Sequence, residues 1–416
     1  MPPKPKSTKK SNYSLYPMLA RLRSKRGFLI LAAVIMVAAA VIWAVQYFGL
    51  LAKDRFNQGP VVVRPTAPKP NSVPYQVKEV TTGLNVPWDM VFTSGNRILV
   101  SERSGTIRVI EQGKLVAEPL LRITEVSNVS EEGLMGLALD PDYTTNKLVY
   151  ACYAYATRDG LRDRVIKFED RDNATGPIMT VIDNIPAAQY HAGCRLSFGP
   201  QDKKLYITTG DATDKNIAQQ LSSLGGKILR VNSDGSIPSD NPFSGSPVWS
   251  LGHRNPQGTA WQPETNQLFS TEHGPSGFDG AAGGDEVNII TKGGNYGWPV
   301  VSHQRTDTRF ISPLLVFTPA VAPSGATFYS SDVLPQFKGD LFFTGLRGEG
   351  LYRIELTGSE RNQVARYEKL SDVNYGRLRD VAAGPDGSIY FVTSNRDGRG
   401  QPRAGDDKLL RISPKE

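Results

Sequence analysis

Residues 190–211, YHAGCRLSFGPQDKKLYITTGD, contain in one stretch the pattern that the rest of the chain repeats. Alternating apolar side chains at Leu196 and Phe198 are followed by a Gly-Pro turn, and a second apolar-rich run begins at Leu205. Alternation with a period of two is typical of β-strands that bury one face, so the stretch predicts two strands joined by a turn. His191 precedes the first strand, where a histidine is either structural or a proton acceptor for a substrate.

The same order of strands and turns recurs six times after residue 75. The predicted second strands begin near residues 97, 147, 204, 267, 339 and 387. This spacing is longer than the ~40–50 residues of a compact propeller blade, which leaves room for functional loops. No long amphipathic pattern separates the strands, which argues against a βαβ fold. We therefore predict an all-β, six-bladed propeller of four-stranded antiparallel sheets over residues 76–416, with a pair of β-sandwiches as the alternative.

The N-terminal region differs in composition from the predicted propeller. Residues 1–27 contain eight basic and no acidic residues, and residues 28–52 contain no charged side chain. At ~1.5 Å per residue, the second stretch is long enough to cross a ~30 Å hydrocarbon core. We predict a basic cytoplasmic tail (1–27), a transmembrane helix (28–52) and a proline-rich linker (53–75), which place the propeller outside the cytoplasm on a single-pass anchor. A cleaved signal peptide is the alternative.

The positive charge of the chain belongs to this tail. The net charge is +7, and removing the eight basic residues of the tail leaves −1. The propeller region therefore has no basic excess, and no nucleic-acid partner is expected. Cys152 and Cys194 would lie in an oxidising compartment, where they either form a disulfide or remain buried apolar residues.

Unusual polar residues recur at two positions of the repeat. One position precedes the first strand of a copy, and the other lies between the second and third strands. In a propeller both loops open onto the same face of the central channel. The residues at these positions include Glu131, His191, Arg254, Asn255, Arg347, Arg377 and Arg379. We therefore predict one polar pocket at the mouth of the channel, with His191 beside it.

The four arginines indicate the charge of the ligand. Arg254, Arg347, Arg377 and Arg379 would repel one another without an anion, and a guanidinium matches a carboxylate with two hydrogen bonds. The predicted ligand is a compact polycarboxylate. A surface salt bridge is the alternative for any single arginine, and the absence of a glycine-rich loop before a helix argues against a nucleotide.

Glycine and oxygen donors are concentrated in residues 272–299. Glycines allow main-chain carbonyls to turn inward, and Glu286 adds a carboxylate. Oxygen ligands with few histidines or cysteines suit Ca²⁺ rather than Zn²⁺. A tight glycine turn with a surface acid is the alternative.

Taken together and in order, these stretches resemble the soluble quinoprotein glucose dehydrogenases, most closely the aldose sugar dehydrogenase branch of the glucose/sorbosone dehydrogenase family. The matching stretches are Tyr190–Gly199, Gly252–Gly258, Glu272–Pro275, Gly284–Asn288, Asn295–Pro299 and Arg377–Asp380. The resemblance implies a propeller that binds pyrroloquinoline quinone (PQQ), a tricarboxylate, together with Ca²⁺. It also implies oxidation of aldose sugars at the anomeric carbon to aldonolactones, with the electrons passed to an external acceptor.

The resemblance further implies a role for each site residue. His191 is expected to be the general base. The expected PQQ contacts are Glu131, Arg254, Asn255, Arg347, Arg377 and Arg379. The main-chain oxygens of Gly274 and Pro275 resemble ligands of the cofactor's calcium, and Glu286 with the carbonyl of Tyr296 resembles a second calcium site. A propeller that binds glycans or proteins without catalysis and a calcium-dependent lactone hydrolase are the alternative functions.

Overall fold

The structure, a computed structural model, describes residues 71–415. The strands of the first half are β1 (Tyr75–Thr82), β2 (Pro87–Ser94), β3 (Arg97–Glu102), β4 (Thr106–Glu111), β5 (Lys114–Leu115), β6 (Leu121–Arg122), β7 (Leu134–Leu139), β8 (Leu148–Thr157), β9 (Gly160–Glu169), β10 (Met179–Pro186), β11 (Gly193–Phe198) and β12 (Leu205–Thr209). The strands of the second half are β13 (Lys227–Val231), β14 (Val248–Leu251), β15 (Pro256–Trp261), β16 (Leu268–Glu272), β17 (Asp285–Ile290), β18 (Leu315–Phe317), β19 (Pro323–Phe328), β20 (Leu341–Gly345), β21 (Gly350–Thr357), β22 (Gln363–Lys369), β23 (Leu378–Ala383), β24 (Ile389–Thr393) and β25 (Lys408–Pro414). Between the strands of residues 71–415 lie one short α-helix, α1 (Tyr143–Asn146), and two 3₁₀ turns (Lys215–Gln219 and Pro335–Phe337).

The strands form six antiparallel sheets, which confirms the predicted propeller. In chain order the sheets are β2-β3-β4-β5, β7 to β10, β11 to β14, β15 to β18, β19 to β22 and β23-β24-β25-β1, and β6 adds a second partner to β4. The innermost strands β2, β7, β11, β15, β19 and β23 contact one another in a closed ring. Apolar side chains fill the space between neighbouring blades, as Cys152 with Leu196 and Phe269 with Phe343 illustrate. This arrangement brings the ends of all six innermost strands to one mouth.

The last blade is completed by the first strand of the propeller. β1 pairs with β25, with Tyr75 opposite Pro414 and Val77 opposite Ile412. The Lys415 N–H also donates to the Pro74 carbonyl at 2.8 Å. The start and the end of the propeller therefore close the ring together.

A buried ion cluster joins three innermost strands across the channel. Arg195 in β11 contacts Asp89 in β2 at 2.7 Å and Asp380 in β23 at 3.0 Å. Its guanidinium also lies 4.3 Å from the Trp88 ring, and its Nε donates to the Gln257 carbonyl at 2.9 Å. Burial raises the pKa of Asp380 well above its ordinary value, and the neighbouring Asp89 adds to this although Arg195 opposes it. The arginine thus offsets two carboxyl groups that are almost fully buried.

A disulfide connects the second and third blades. Cys152 in β8 and Cys194 in β11 are bonded, with their Cα atoms 5.8 Å apart. The sequence left their pairing open because it does not show how close two neighbouring blades pack. Cys194 lies three residues after His191, so the bond fixes the backbone beside the candidate base.

We predict that the double substitution Cys152→Ala and Cys194→Ala lowers the free energy of unfolding by about 4 kcal/mol, the loop-closure value for a disulfide of this separation. The cysteines are 42 residues apart in sequence. Urea unfolding of the protein with and without a thiol reductant measures the effect, and the reductant should leave the double variant unchanged. A wild-type transition insensitive to reductant would contradict the prediction.

The structure does not test the predictions for the N-terminal region. The tail (1–27), the transmembrane helix (28–52) and the linker up to residue 70 lie outside the described residues. Within residues 71–415, no helix has the length and apolar character needed to cross a bilayer.

Candidate active site

A cavity opens at the mouth of the channel and receives residues from all six blades. Its two lobes have volumes of about 220 Å³ and 320 Å³ and share Glu131, His273, Leu346, Arg377 and Arg399. The lining comes from loops that lead into innermost strands, such as Ala192, and from loops between second and third strands, such as Arg103. Both kinds of loop that were predicted to meet at the mouth therefore line the cavity.

The cavity carries more positive than negative charge. Its lining includes five arginines (Arg103, Arg347, Arg377, Arg379 and Arg399) and three carboxylates (Glu131, Asp285 and Asp397). The cluster is partly neutralised, which corrects the expectation that only a ligand offsets the arginines. Arg377 donates to Asp397 at 2.7 and 2.9 Å, and Arg399 donates to Glu131 at 2.8 Å. Two guanidiniums remain in excess and favour an anion.

Glu131 is held as an anion beside the candidate base. Its Oε2 accepts the main-chain N–H of His191 at 3.0 Å. Burial alone raises the pKa of Glu131, but the His273 imidazole, the Arg399 guanidinium and the His191 N–H together lower it below its ordinary value. Of the two cations, Arg399 is the one present at neutral pH, because burial lowers the pKa of His273 to about 4.

Buried nitrogen atoms without a protein partner among the described residues lie on or near the cavity wall. Arg379 Nε and His273 Nε2 belong to residues that line the cavity, and Asn255 Nδ2 lies two residues before the lining residue Gln257. Arg379 Nη1 donates only to neutral groups, the Gln257 and Ser324 side chains at 3.0 and 3.5 Å. Burial lowers the pKa of Arg379 to about 9. Unpaired buried donors are costly, so this wall fits a ligand rich in acceptor oxygens.

Two carboxylates hold His191: Glu131 binds its main-chain N–H, and Asp211 binds its ring. Its Nδ1 lies 2.5 Å from Asp211 Oδ1, and its main-chain φ of 64° is left-handed. Gly193 has a φ of 62°, and a Cβ on this residue would lie 2.5 Å from the Gly210 nitrogen. Because Asp211 binds Nδ1, Nε2 is the nitrogen that remains to accept a proton.

The His191 ring lies beside the cavity and does not line it. Its neighbours Tyr190 and Ala192 line the smaller lobe, while the imidazole is only 4% exposed and stacks on Phe278 with ring centres 5.7 Å apart. Phe278 is 64% exposed, so the ring that covers the histidine faces solvent.

Arg254 binds the loop that carries Phe278. Its Nε donates to Asp279 at 2.6 Å, and its two terminal nitrogens donate to the His273 carbonyl and the Ser276 hydroxyl, each at 3.1 Å. Arg254 therefore lies next to the lobes lined by Arg347, Arg377 and Arg379 but does not line them. Asn255 accepts the Gly193 N–H at 3.1 Å and so supports the His191 segment.

Comparisons with known proteins agree with this geometry. Residues 84–411 match the family Glucose / Sorbosone dehydrogenase. The chain belongs to this family. Within the family, the chain is 32% identical to the aldose sugar dehydrogenase YliI of Escherichia coli (strain K12), over 80% of this chain and 91% of the relative. It is 26% identical to quinoprotein glucose dehydrogenase B of Acinetobacter calcoaceticus, over 81% of this chain and 89% of the relative.

A solved structure of an aldose sugar dehydrogenase superposes over most of the chain. The PQQ-bound form of aldose sugar dehydrogenase from Streptomyces coelicolor has a TM-score of 0.72 and 36% identity, covering 84% of this chain and all of that one. The predicted membership of the glucose/sorbosone dehydrogenase family and the prediction of an oxidoreductase are thereby confirmed.

In this chain, the residues predicted to bind calcium lie on the fourth blade, in and beside β16 and β17. Gly274 packs so tightly that an added Cβ would lie 2.3 Å from the Gly283 and Gly284 oxygens. Glu286 is opposite Glu272 in the β16–β17 ladder, and burial together with the Glu272 charge raises the pKa of Glu286 to about 8. Within residues 71–415 no three His, Cys, Asp or Glu side chains are grouped to hold a metal ion.

Sequence reasoning missed several residues of the site. His273, Asp211, Asp279, Asp397 and Arg399 received no role, although the first two lie at the repeat position already identified. Asp279 and Asp397 contact arginines through loops that have no periodic pattern, so nothing in the sequence marked them.

Proposed function

We propose that this protein is a PQQ- and Ca²⁺-dependent aldose dehydrogenase, which oxidises the anomeric carbon to an aldonolactone and passes the electrons to an external acceptor. The observation that carries the proposal is an arginine-rich cavity with unpaired buried donors beside a histidine–aspartate pair. The PQQ-bound Streptomyces coelicolor relative supports the choice of cofactor.

The residues that would hold PQQ fit a tricarboxylate. Arg347, Arg377 and Arg379 lie on the cavity wall, and Arg379 Nε is a buried donor that a carboxylate would satisfy. Glu131 does not oppose such a ligand strongly, because Arg399 already neutralises it. Asn255 Nδ2 adds a further unpaired donor, and Arg254 lies next to the cavity.

His191 would act as the general base. Its Nε2 takes the proton from the anomeric hydroxyl of the sugar, and Asp211 holds the ring and stabilises the imidazolium that forms. When bound, PQQ supplies an electrophilic quinone carbonyl. Arg254 would add positive charge near that carbonyl, where the main-chain and side-chain contacts described above fix its guanidinium.

The calcium ligands would come mainly from the main chain. The carbonyl oxygens of Gly274 and Pro275 would bind a calcium next to the cofactor, and Glu286 with the Tyr296 carbonyl would bind a second ion. A divalent cation would offset the carboxylates of Glu272, which is buried, and Glu286, which lies opposite it in the sheet.

We further propose that residues 28–52 anchor the enzyme in the membrane and that the propeller is extracytoplasmic. The disulfide between Cys152 and Cys194 supports an oxidising compartment. Labelling an accessible cysteine introduced at residue 60 in intact cells, compared with one at residue 10, tests the orientation.

We predict that Arg379→Met weakens PQQ binding ~10- to 100-fold, because a hydrogen bond to a charged group contributes about 1.5–3 kcal/mol. Stability without PQQ should not fall, because the substitution removes a buried charge that burial disfavours. A visible-range titration of the protein with PQQ, with and without Ca²⁺, measures the affinity. Arg309→Met, on an exposed arginine paired with Asp307, is the matched control.

The same preparation tests the proposed reaction. Protein loaded with PQQ and Ca²⁺ should reduce an artificial dye when aldoses are added. No PQQ binding in either calcium condition would contradict the proposal and favour a propeller that only binds glycans or proteins, and lactone hydrolysis without PQQ would favour a hydrolase.

A further inference from the structure

We propose that Trp298 is a positioning residue whose indole N–H holds Asp211 and limits how strongly the His191–Asp211 pair retains a proton. This inference rests on the proposed role of His191 as a base. Trp298 is 87 residues from Asp211 in sequence, yet its Nε1 donates to Asp211 Oδ2 at 2.8 Å.

The two carboxylate oxygens of Asp211 have different partners. Oδ1 lies 2.5 Å from His191 Nδ1 and accepts the Thr213 N–H at 2.9 Å, whereas Oδ2 accepts the indole N–H. Asp211 is 1% exposed, so water does not replace a lost donor. The indole therefore stabilises negative charge on the oxygen that faces away from the imidazole.

Trp298 is itself fixed from several directions. Its main-chain carbonyl accepts the Gln219 amide N–H at 2.7 Å, and its main-chain N–H donates to the Gly252 carbonyl at 3.0 Å. Gln219 also exchanges hydrogen bonds with Asn295 at 2.8 and 3.0 Å. The ring lies 5.7 Å from the Arg254 guanidinium, so one side chain contacts both the partner of the base and the arginine beside the cavity.

Loss of the indole N–H should make the pair a stronger base. Without this donor, the protein stabilises the negative charge of Asp211 less. The carboxylate then favours the protonated form of His191 more strongly. A hydrogen bond to a buried charged group is strong enough to change the proton affinity of the pair ~10-fold. The pair would then stay protonated to a higher pH, and the fraction of His191 able to accept a proton near neutral pH would fall.

The test is Trp298→Phe, which keeps an aromatic ring next to Arg254 and removes the N–H. Trp261→Phe is the matched control, because Trp261 is the last residue of β15, at the end away from Pro256, and its Nε1 donates to Ser197 at 3.4 Å. The charged groups that face His191 are Asp211, Glu131, Asp279 and Arg254, and neither substitution changes them.

The first measurement uses protein without cofactor. The chain has four histidines, so ¹⁵N NMR resolves the imidazole signals and His191→Asn assigns the one of interest. The midpoint of the His191 titration is expected to rise by ~1 pH unit in Trp298→Phe and to stay at the wild-type value in Trp261→Phe. Equal midpoints in all three proteins would overturn the proposal, whether or not the protein oxidises sugars.

The second measurement is the pH profile of kcat/KM for aldose oxidation with PQQ and Ca²⁺. The acid limb should move to higher pH by the same amount, with rates ~10-fold lower below the midpoint and near wild type at high pH. If Trp298 were only structural, Trp298→Phe would lower kcat/KM by the same factor at every pH and leave the acid limb where it is in the wild type. That result would also overturn the proposal.

Discussion

An enzyme with asparagine in place of His191 is expected to oxidise aldoses ~10²–10⁴-fold more slowly than the wild type, the usual contribution of a general base. Asparagine is the suitable replacement because His191 has a left-handed φ of 64°, which asparagine tolerates better than most other residues. Dye reduction under saturating aldose measures kcat. The decrease should appear mainly in kcat, because a general base acts in the transition state rather than in binding of the aldose.

The cofactor titration serves as the control for this variant. His191→Asn should bind PQQ with wild-type affinity, because the proposed carboxylate contacts are on Arg347, Arg377 and Arg379. Unchanged dye reduction in the variant would exclude His191 as the base. A lost rate together with lost PQQ binding would assign His191 to cofactor binding.

Replacing Arg195 by methionine is expected to lower the free energy of unfolding by about 3–5 kcal/mol, the cost of removing one partner from a buried ion pair. Asp89 and Asp380 would then face each other in the channel without a cation, 4% and 3% exposed. Urea unfolding at pH 7 measures the change. Arg309→Met, which affects a salt bridge on a 69% exposed arginine, should change the value by less than about 0.5 kcal/mol.

The pH dependence provides a second readout for Arg195→Met. The pKa of Asp380 is raised by burial, so the folded protein binds this proton more tightly than the unfolded chain. Stability of the variant should therefore decrease as pH rises above the ordinary aspartate value of about 3.9. Addition of Asp89→Asn and Asp380→Asn should recover most of the loss, and a loss below about 1 kcal/mol in the single variant would contradict the role of Arg195.

The propeller was predictable because its pattern is local and repeated. The second strands begin at Arg97, Leu148, Leu205, Leu268, Leu341 and Ile389, each within two residues of the position predicted from alternation. The position of a residue in the repeat also determines which face of the ring it reaches, so Glu131, Arg347, Arg377 and Arg379 could be placed at one cavity without coordinates.

Contacts made by irregular loops, within a blade or between blades, could not be predicted in this way. Asp397 neutralises Arg377 and Asp279 binds Arg254, although both aspartates lie in irregular connections. The disulfide depends on the distance between two blades, which no pattern along the chain encodes. Trp298 contacts Asp211 for the same reason, through a loop whose path is set by packing against the neighbouring blade.

The closing strand β1 has a consequence for biosynthesis. During synthesis, residues 75–82 leave the ribosome before every other strand of the propeller, and their hydrogen-bonding partner Lys408–Pro414 is the last strand to emerge. Strand β1 therefore lacks its hydrogen-bonding partner until translation of the propeller is nearly complete. An unpaired strand of this kind favours binding by a chaperone. Because Pro74 and Lys415 already touch, a circular permutant with new termini in the exposed β8–β9 turn would place all four strands of the last blade consecutively and remove that delay.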